Sequence, residues 1–260
     1  MYRVKFTCLL PVHDGDDADL FRQAHASILA NTLLPTRILI CQDGVLPPLL
    51  QRAVAETGES IVENPGRKGL HHNLNHALAR VATPWICRAD ADDINLPNRF
   101  TRQITFLADH PEVSVLGGAI EEVSPGCASH FKSMPLTHAA ISARARWRNP
   151  VNHMTAFVRT QPLRDAGGYP AIPCKEDYGL WLAMLARGHR FANLPDVLVR
   201  ARLGAGFHDR RAGLHNLASE FALYRLQPRS PGAALVHLAR AAALASRTIA
   251  RGAYLGVLRR

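Results

Sequence analysis

Three carboxylates crowd together where an apolar run ends. In the stretch ICRADADDINLPNRF, residues 86–100, Trp85-Ile86-Cys87 leads straight into Asp90, Asp92 and Asp93. Acids this close repel one another and lose solvation wherever they are buried. A divalent cation such as Mg²⁺ or Mn²⁺ relieves both costs, because it favours oxygen ligands and is commonly held by one or two carboxylates plus substrate phosphates. The competing reading is a solvated turn with a helix cap. A second pair, Glu176-Asp177, opens the segment KEDYGLWLAML, where acids also simply complement a helix dipole. Arg67 and Lys68 precede GLHHNLNHAL, and cations beside a helix N-terminus suit a phosphate or uridine, or remain solvated loop charges. His72 and His76 stand four apart, but no acid accompanies them as in HExxH, so zinc is not expected.

The segments that must position these residues alternate between strand and helix. FTCLLPV, TRILICQDG, SIVEN and TPWICRADADD read as strands; ADLFRQAHASILAN, PPLLQRAVAETG and GLHHNLNHALARVA read as the helices between them. Strands that are continuous apolar runs, joined by helices, predict a parallel sheet covered on both faces. Further on, RFTRQITFLADHP predicts a helix and VSVLGGAIEEV a strand with Gly117-Gly118 as a bend or close approach. HMTAFVRT predicts a strand, PLRDAGGYP a short helix and turn, KEDYGLWLAMLARGH a helix and VLVRARL a final strand. Ligands of such sheets sit beyond the carboxyl ends of the strands. Those ends carry His13-Asp14, Gln42-Asp43-Gly44, Glu63-Asn64 and Asp90 to Asp93, so polar and acidic residues converge on one rim.

LLPVHDGD, ILICQDG, ENPGRKGLHHNLNHAL, WICRADADDINLPNRF, NPVNHMTAFVR and KEDYGLWLAML occur in the order and approximate spacing of family 2 glycosyltransferases. The chain resembles that family over roughly residues 3–205, and most resembles its bacterial O-antigen, capsule and exopolysaccharide members. The resemblance implies an α/β fold of the GT-A type, Rossmann-like, with a mostly parallel sheet flanked by helices. It also implies a nucleotide-sugar donor, usually UDP-linked, an Mn²⁺ or Mg²⁺ cofactor, and inversion at the anomeric carbon. Residue by residue, Asp43 matches the acid that binds uracil, although Gln42 and Val45 depart from the usual two acids followed by Gly-Ser. Pro11 and His13 lie where the first-strand loop lines the nucleotide. Asp92 and Asp93 match the metal and ribose-diphosphate motif, with Asp93 in direct metal contact; Asp90 also fits an Asp-x-Asp reading. His153 matches a histidine near the donor sugar or diphosphate, or serves as a hydrogen-bonded structural residue. Asp177 matches the general base that deprotonates the acceptor hydroxyl, with Glu176 supporting it or an acceptor hydroxyl. Trp181 lines the acceptor site or packs in the core. His208, Arg210 and Arg211 fall where relatives carry a loop that closes over the diphosphate.

The implied organisation is a catalytic domain over 1–205, with a nucleotide half to about residue 95 and an acceptor half over 96–205, followed by a loop and helical basic tail over 206–260. Composition, 47% hydrophobic and 20% charged, is that of a globular protein. The net charge of +10 concentrates in the tail: from Phe221 onward there are seven arginines and no acid, and the rest carries only +3. Arg240, Arg247 and Arg251 share one helical face, which predicts attachment to an anionic membrane surface or packing on the body or a partner subunit. Nucleic-acid binding is not expected, since interleaved aromatics are few. Scattered cysteines without CxxC spacing, with Cys8, Cys41 and Cys87 in apolar runs, fit a reduced setting. No signal peptide or membrane span is predicted, which places the protein in the cytoplasm, peripheral on the inner face of the cytoplasmic membrane. The acceptor implied is a glycan or a polyprenyl-diphosphate-linked sugar. A sugar nucleotidyltransferase is excluded because PVHDGDDAD is acidic where that chemistry needs a basic glycine-rich loop. A DxD phosphatase wants its nucleophile after the first strand, not the fourth. The remaining alternative is a non-catalytic nucleotide-binding scaffold at the membrane surface.

Overall fold

A computed structural model describes residues 4–66, 68–124, 126–203 and 215–226, together with residues 239 and 242. Arg67, His208, Arg210, Arg211 and most of the basic tail lie outside the described residues.

The first half builds as the periodicity predicts. β1 (Phe6–His13), β2 (Arg37–Asp43), β3 (Ser60–Glu63) and β4 (Trp85–Arg88) form a parallel array in the order β3-β2-β1-β4. The helices between them are α1 (Ala18–Leu29), α2 (Pro48–Glu56) and α3 (Leu70–Leu78). Alternate residues of each strand point to opposite faces. Cys8, Leu10, Ile38 and Ile40 therefore pack with Phe21 and Ile28 of α1 and Leu50 of α2. Leu9, Leu39 and Cys41 pack on the other face with Leu74 and Leu78 of α3. Asp17 caps α1, its side chain accepting from the Asp19 and Leu20 N–H groups at 2.9 Å.

The second half adds β5 (Ile94–Asn95), α4 (Arg99–Asp109), β6 (Val113–Val123), β7 (His130–Lys132), α5 (His138–Ala145), β8 (Phe157–Arg159), α6 (Thr160–Asp165), α7 (Glu176–Ala186), β9 (Arg190–Arg202) and α8 (His215–Leu226). The sheet continues as β4-β8-β6-β9-β5, with β7 on the edge of β6. β8 runs antiparallel to both its neighbours, so the sheet is mixed, although most of its paired residues lie in parallel ladders.

β4 and β5 are five residues apart in sequence yet four strands apart in the sheet, about 19 Å on a flat surface. The link is not extended, since the Asp93 N–H bonds back to the Asp90 carbonyl at 3.4 Å. The sheet must therefore curl, and its curl draws the acidic loop across the strand ends. The ladder of β6 with β9 is irregular at Gly118. A Cβ on Gly117 would meet Asn193 Oδ1 and, at 2.7 Å, Val151 Cγ1, and one on Gly118 would meet Leu198, so both glycines mark close approach.

The strand expected over 153–160 starts later. Thr155 Oγ1 donates to the Asn152 carbonyl at 2.7 Å and turns His153–Thr155 into a 3-10 turn, leaving only 157–159 extended. Likewise the fourth strand ends at Arg88, and the acids occupy the loop beyond it. α8 packs on the body through Leu223, which shares a small core with Ala145, Ile172, Tyr178 and Leu182.

Candidate active site

Beyond the carboxyl ends of β1, β2 and β4 opens a cleft of about 440 Å³. Pro11, Val12 and His13 form one wall where β1 ends, and Asp43 closes β2 beside them. Asp43 is buried, and its two carboxylate oxygens accept from Asn64 Nδ2 and the Gly69 N–H, both at 2.9 Å. Gln42 Nε2 donates to the Gly44 carbonyl at 3.0 Å and so holds the turn at Gly44, whose φ of +80° suits glycine. Asn73 of α3 spans to the Cys41 carbonyl at 2.6 Å, while its Oδ1 is buried without a hydrogen-bond partner. His13 is fixed at the rim by Asp16, whose carboxylate accepts from the His13 N–H at 2.8 Å.

Three arginines frame the acidic loop. Arg88, buried at the end of β4, pairs with Asp90 and donates to the Ala89 carbonyl. Arg99, buried in the first turn of α4, donates to the Arg88 carbonyl at 2.7 Å, to Gln103 Oε1 at 3.2 Å and to Asn95 Oδ1. It thereby ties down the chain on both sides of the loop. Arg202, at the end of β9, gives its N–H to Asp93 Oδ1 at 2.9 Å and its guanidinium to the Asp92 carbonyl at 2.8 Å. One local cation pairs with Asp90, but among the described residues neither Asp92 nor Asp93 forms an ion pair. Burial, then the charges of Asp90 and Asp16, push Asp92 up to about 6. Burial, then Asp90 and Asp92, push Asp93 up to about 8.

Asp93 Oδ2 is buried and accepts no hydrogen bond. An orphaned carboxylate oxygen beside a second acid whose charge is disfavoured by burial and by neighbouring carboxylates fits a divalent cation as ligand. Among the described residues no three His, Cys, Asp or Glu side chains form a complete cage.

The same cleft is lined by Glu176 and Asp177, in the first turn of α7. Asp177 Oδ2 accepts from Asn149 Nδ2 at 2.6 Å, and Oδ1 from the Tyr178 N–H at 2.7 Å. Burial and the neighbouring Asp177 push Glu176 up to about 7. His153 lines the same cleft, its Nε2 3.3 Å from the Tyr169 hydroxyl and its ring packed edge-on against Trp181. Burial and Arg88 hold His153 well below the usual histidine range, so it is neutral. Asn75 fastens this wall to α3: its side chain exchanges two 2.8 Å hydrogen bonds with the Tyr169 backbone.

The model of the family described as "Glycosyl transferase family 2" matches residues 7–164. The chain is 35% identical over 227 residues to the amylovoran biosynthesis glycosyltransferase AmsE of Erwinia amylovora, covering 85% of each. The chain belongs to glycosyltransferase family 2. It is also 30% identical over 224 residues to an Escherichia coli UDP-Gal:alpha-D-GlcNAc-diphosphoundecaprenol beta-1,3-galactosyltransferase, covering 83% of this chain and 80% of the relative. Solved structures share the fold. The mannosyltransferase PcManGT of Pyrobaculum calidifontis, in complex with GDP-Man and Mn²⁺, superposes with a TM-score of 0.65 at 21% identity, over 98% of this chain and 81% of that one. S. aureus TarS 1–349 with UDP-GlcNAc gives 0.67 at 16% identity over 85% of this chain; this chain spans 66% of that structure and 39% of a longer TarS structure. The mixed, curled α/β sheet is thus of the GT-A kind, and the protein is an inverting glycosyltransferase.

Of the residues singled out in the glycosyltransferase sequence, Pro11, His13, Asp43, Asp90, Asp92, Asp93, His153, Glu176 and Asp177 all line this one cleft. Lys68 does not. It stands at the exposed rim, its Nζ 2.6 Å from Asp14 Oδ2, where it closes the first-strand loop against the loop before α3. Trp181 is fully buried core, packed edge-on against Phe191. Sequence reasoning passed over Arg88, Asn73, Asn149, Arg202 and Arg99. For Arg88 a signal was present, since a charged residue closing a buried apolar strand needs a reason to be there. Asn149 and Arg202 gave none, because their contacts are set by folding over long separations.

Proposed function

We propose that this glycosyltransferase moves a sugar from a UDP-sugar to a hydroxyl of a glycan or lipid-linked glycan precursor in cell-surface polysaccharide synthesis. One observation carries the reading: a single cleft is lined by both an orphaned buried carboxylate, Asp93, and the Glu176–Asp177 pair. The UDP-Gal- and diphosphoundecaprenol-using relative and the UDP-GlcNAc-bound TarS structure support the donor and acceptor classes.

Asp43, fixed by Asn64 and Gly69, takes the base, with Pro11 and His13 along the nucleoside. Arg67 and Lys68, from their place in the sequence before α3, are assigned to the phosphates or uridine. Asp93 and Asp92 hold Mn²⁺ or Mg²⁺, and Asp90, paired to Arg88, completes the ribose-diphosphate side. When bound, the cation offsets charge developing on the departing diphosphate. Neutral His153 donates or accepts at the donor sugar without adding charge.

Asp177 takes the proton of the acceptor hydroxyl as its oxygen attacks the anomeric carbon from the face opposite the diphosphate, which inverts that centre. Asn149 fixes the orientation of the receiving carboxylate, and Glu176 holds an acceptor hydroxyl. The nucleotide half, residues 1–95, and the acceptor half, 96–205, meet along this cleft. The segment 206–260 attaches the enzyme peripherally to the inner face of the cytoplasmic membrane, and no helix among the described residues is long and apolar enough to cross one. A non-catalytic scaffold is the weaker reading, because Gln42 preserves the turn its acidic counterpart would hold.

The test is release of free nucleotide across a panel of nucleotide sugars with lipid-linked acceptors and Mn²⁺ present. Turnover of a UDP-sugar is expected. Turnover of GDP- or dTDP-sugars alone would overturn the donor assignment, and no turnover with intact UDP binding would favour the scaffold.

A further inference from the structure

From residue 123 to residue 164 the chain has no Asp or Glu, but six lysines and arginines. Three of the six are spread over other parts of the fold. Lys132 pairs with Glu122 at 3.2 Å. Arg159 donates to the carbonyls of Pro111 and Val113, and Arg164 to those of Leu78 and Val81. The other three, Arg144, Arg146 and Arg148, cluster at the end of α5 around Trp147 in the segment ARARWRN. Arg146 and Arg148 are exposed, and Trp147 is 53% exposed, the only tryptophan on the surface, since Trp85 and Trp181 are buried. Hydrogen bonds close the turn: the N–H groups of Trp147 and Arg148 both bond to the Arg144 carbonyl, and Arg144 Nε bonds to the Asn149 carbonyl at 3.3 Å. The small core that buries Ala145 also buries Leu223 of α8. The outer side of α8 adds exposed Phe221, with the Arg225 guanidinium 4.7 Å over its ring.

We propose that this arginine–tryptophan turn is a docking surface for an anionic phospholipid bilayer. An indole is apolar in body and polar at one edge, and settles at headgroup depth. Guanidinium groups match phosphate oxygens in charge and geometry. The other candidates to cover the patch carry the wrong sign. The tail from Phe221 onward is basic, and a second copy would bring the same basic turn. The position has a consequence for the enzyme. Asn149, which holds Asp177, follows Trp147 by two residues, at most about 7 Å along the chain. Docking therefore sets the Asp177 end of the cleft at the headgroup level, where a lipid-linked acceptor presents its sugar. This last step rests on the acceptor reading of Asp177; the docking does not.

With only one exposed tryptophan, intrinsic emission reports this turn and not the tail. Full-length protein is titrated with vesicles of phosphatidylglycerol and phosphatidylcholine, following emission and acrylamide quenching alongside co-sedimentation. The expected result is a blue shift and protection from quenching, lost in Trp147→Phe, absent with pure phosphatidylcholine and reversed by high salt. Arg146→Ser with Arg148→Ser should weaken vesicle affinity by about fivefold per arginine. UDP binding by each variant checks the fold separately. Co-sedimentation with unchanged emission and quenching would place attachment in the tail and overturn the proposal, as would no co-sedimentation or equal binding to uncharged vesicles.

Discussion

The two acidic groups of this cleft look alike in sequence and differ in what surrounds them. Asp90, Asp92 and Asp93 sit at a strand end among arginines that are themselves largely committed to carbonyls, so the loop is held firmly while, among the described residues, two of its carboxylates form no ion pair. Asp93 keeps one oxygen bonded to a backbone N–H and leaves the other bare. Glu176 and Asp177 instead open a helix, whose N-terminus favours negative charge, and Asp177 is oriented by a neutral amide. The first group is arranged to gain a cation. The second holds a carboxylate in a fixed orientation, which is what accepting a proton from a bound hydroxyl requires.

Breaking the second group should have the largest effect on turnover. Asp177→Asn retains shape and the bond to Asn149 in altered form but cannot accept a proton. Transfer should fall on the order of a thousand-fold, with UDP-sugar affinity nearly unchanged. Transfer at the normal rate in a single-turnover assay would remove Asp177 from the chemistry. Breaking the first group should act on binding as well. Asp93→Asn keeps the acceptor for the Arg202 N–H and removes the ionised oxygen. Transfer should drop roughly a hundred-fold, and UDP affinity should cease to depend on Mn²⁺ in calorimetry. Equal metal dependence in wild type and variant would break the contrast between the two groups.

The scaffold around the acids gives a third, structural effect. Arg99→Met leaves the Arg88 carbonyl, Asn95 and Gln103 without their shared donor, and should cost about 2–4 kcal/mol in urea unfolding at an unchanged slope. Loss of less than about 0.5 kcal/mol would mean that the loop is held by Arg202 and Arg88 alone.

The parallel half was legible because each of its strands is an apolar run closed by a polar rim, and each helix carries its own start and stop signals. The sheet order beyond β4 was not. β5 is two residues long, β7 three, and neither has a periodicity to detect. Most site residues were named from motifs that stay contiguous in sequence. Asn149 to Asp177 and Asp93 to Arg202 depend instead on the curl of the sheet, and no local pattern encodes it. Lys68, read from its place beside a helix start as a phosphate or uridine contact, pairs at the rim with Asp14, and that pairing too is set by the fold and not by a local pattern.

The smallest effect separates the two groups by pH. Burial and Asp177 raise Glu176 from its ordinary value near 4.5 to about 7. Because the folded value is the higher, the folded state binds the proton more tightly than the unfolded chain does. Stability from this group is fully present below about pH 4.5 and is lost as pH rises through about 7. Glu176→Gln imitates the protonated form at every pH. Its melting temperature should match wild type near pH 4.5 and exceed it near pH 8, by a margin that added Mn²⁺ does not erase if the cation belongs to the other group. A margin that is constant with pH would show that Glu176 does not titrate in this range. A margin abolished by Mn²⁺ would show that the two acidic groups share one cation, and the distinction between them would fall.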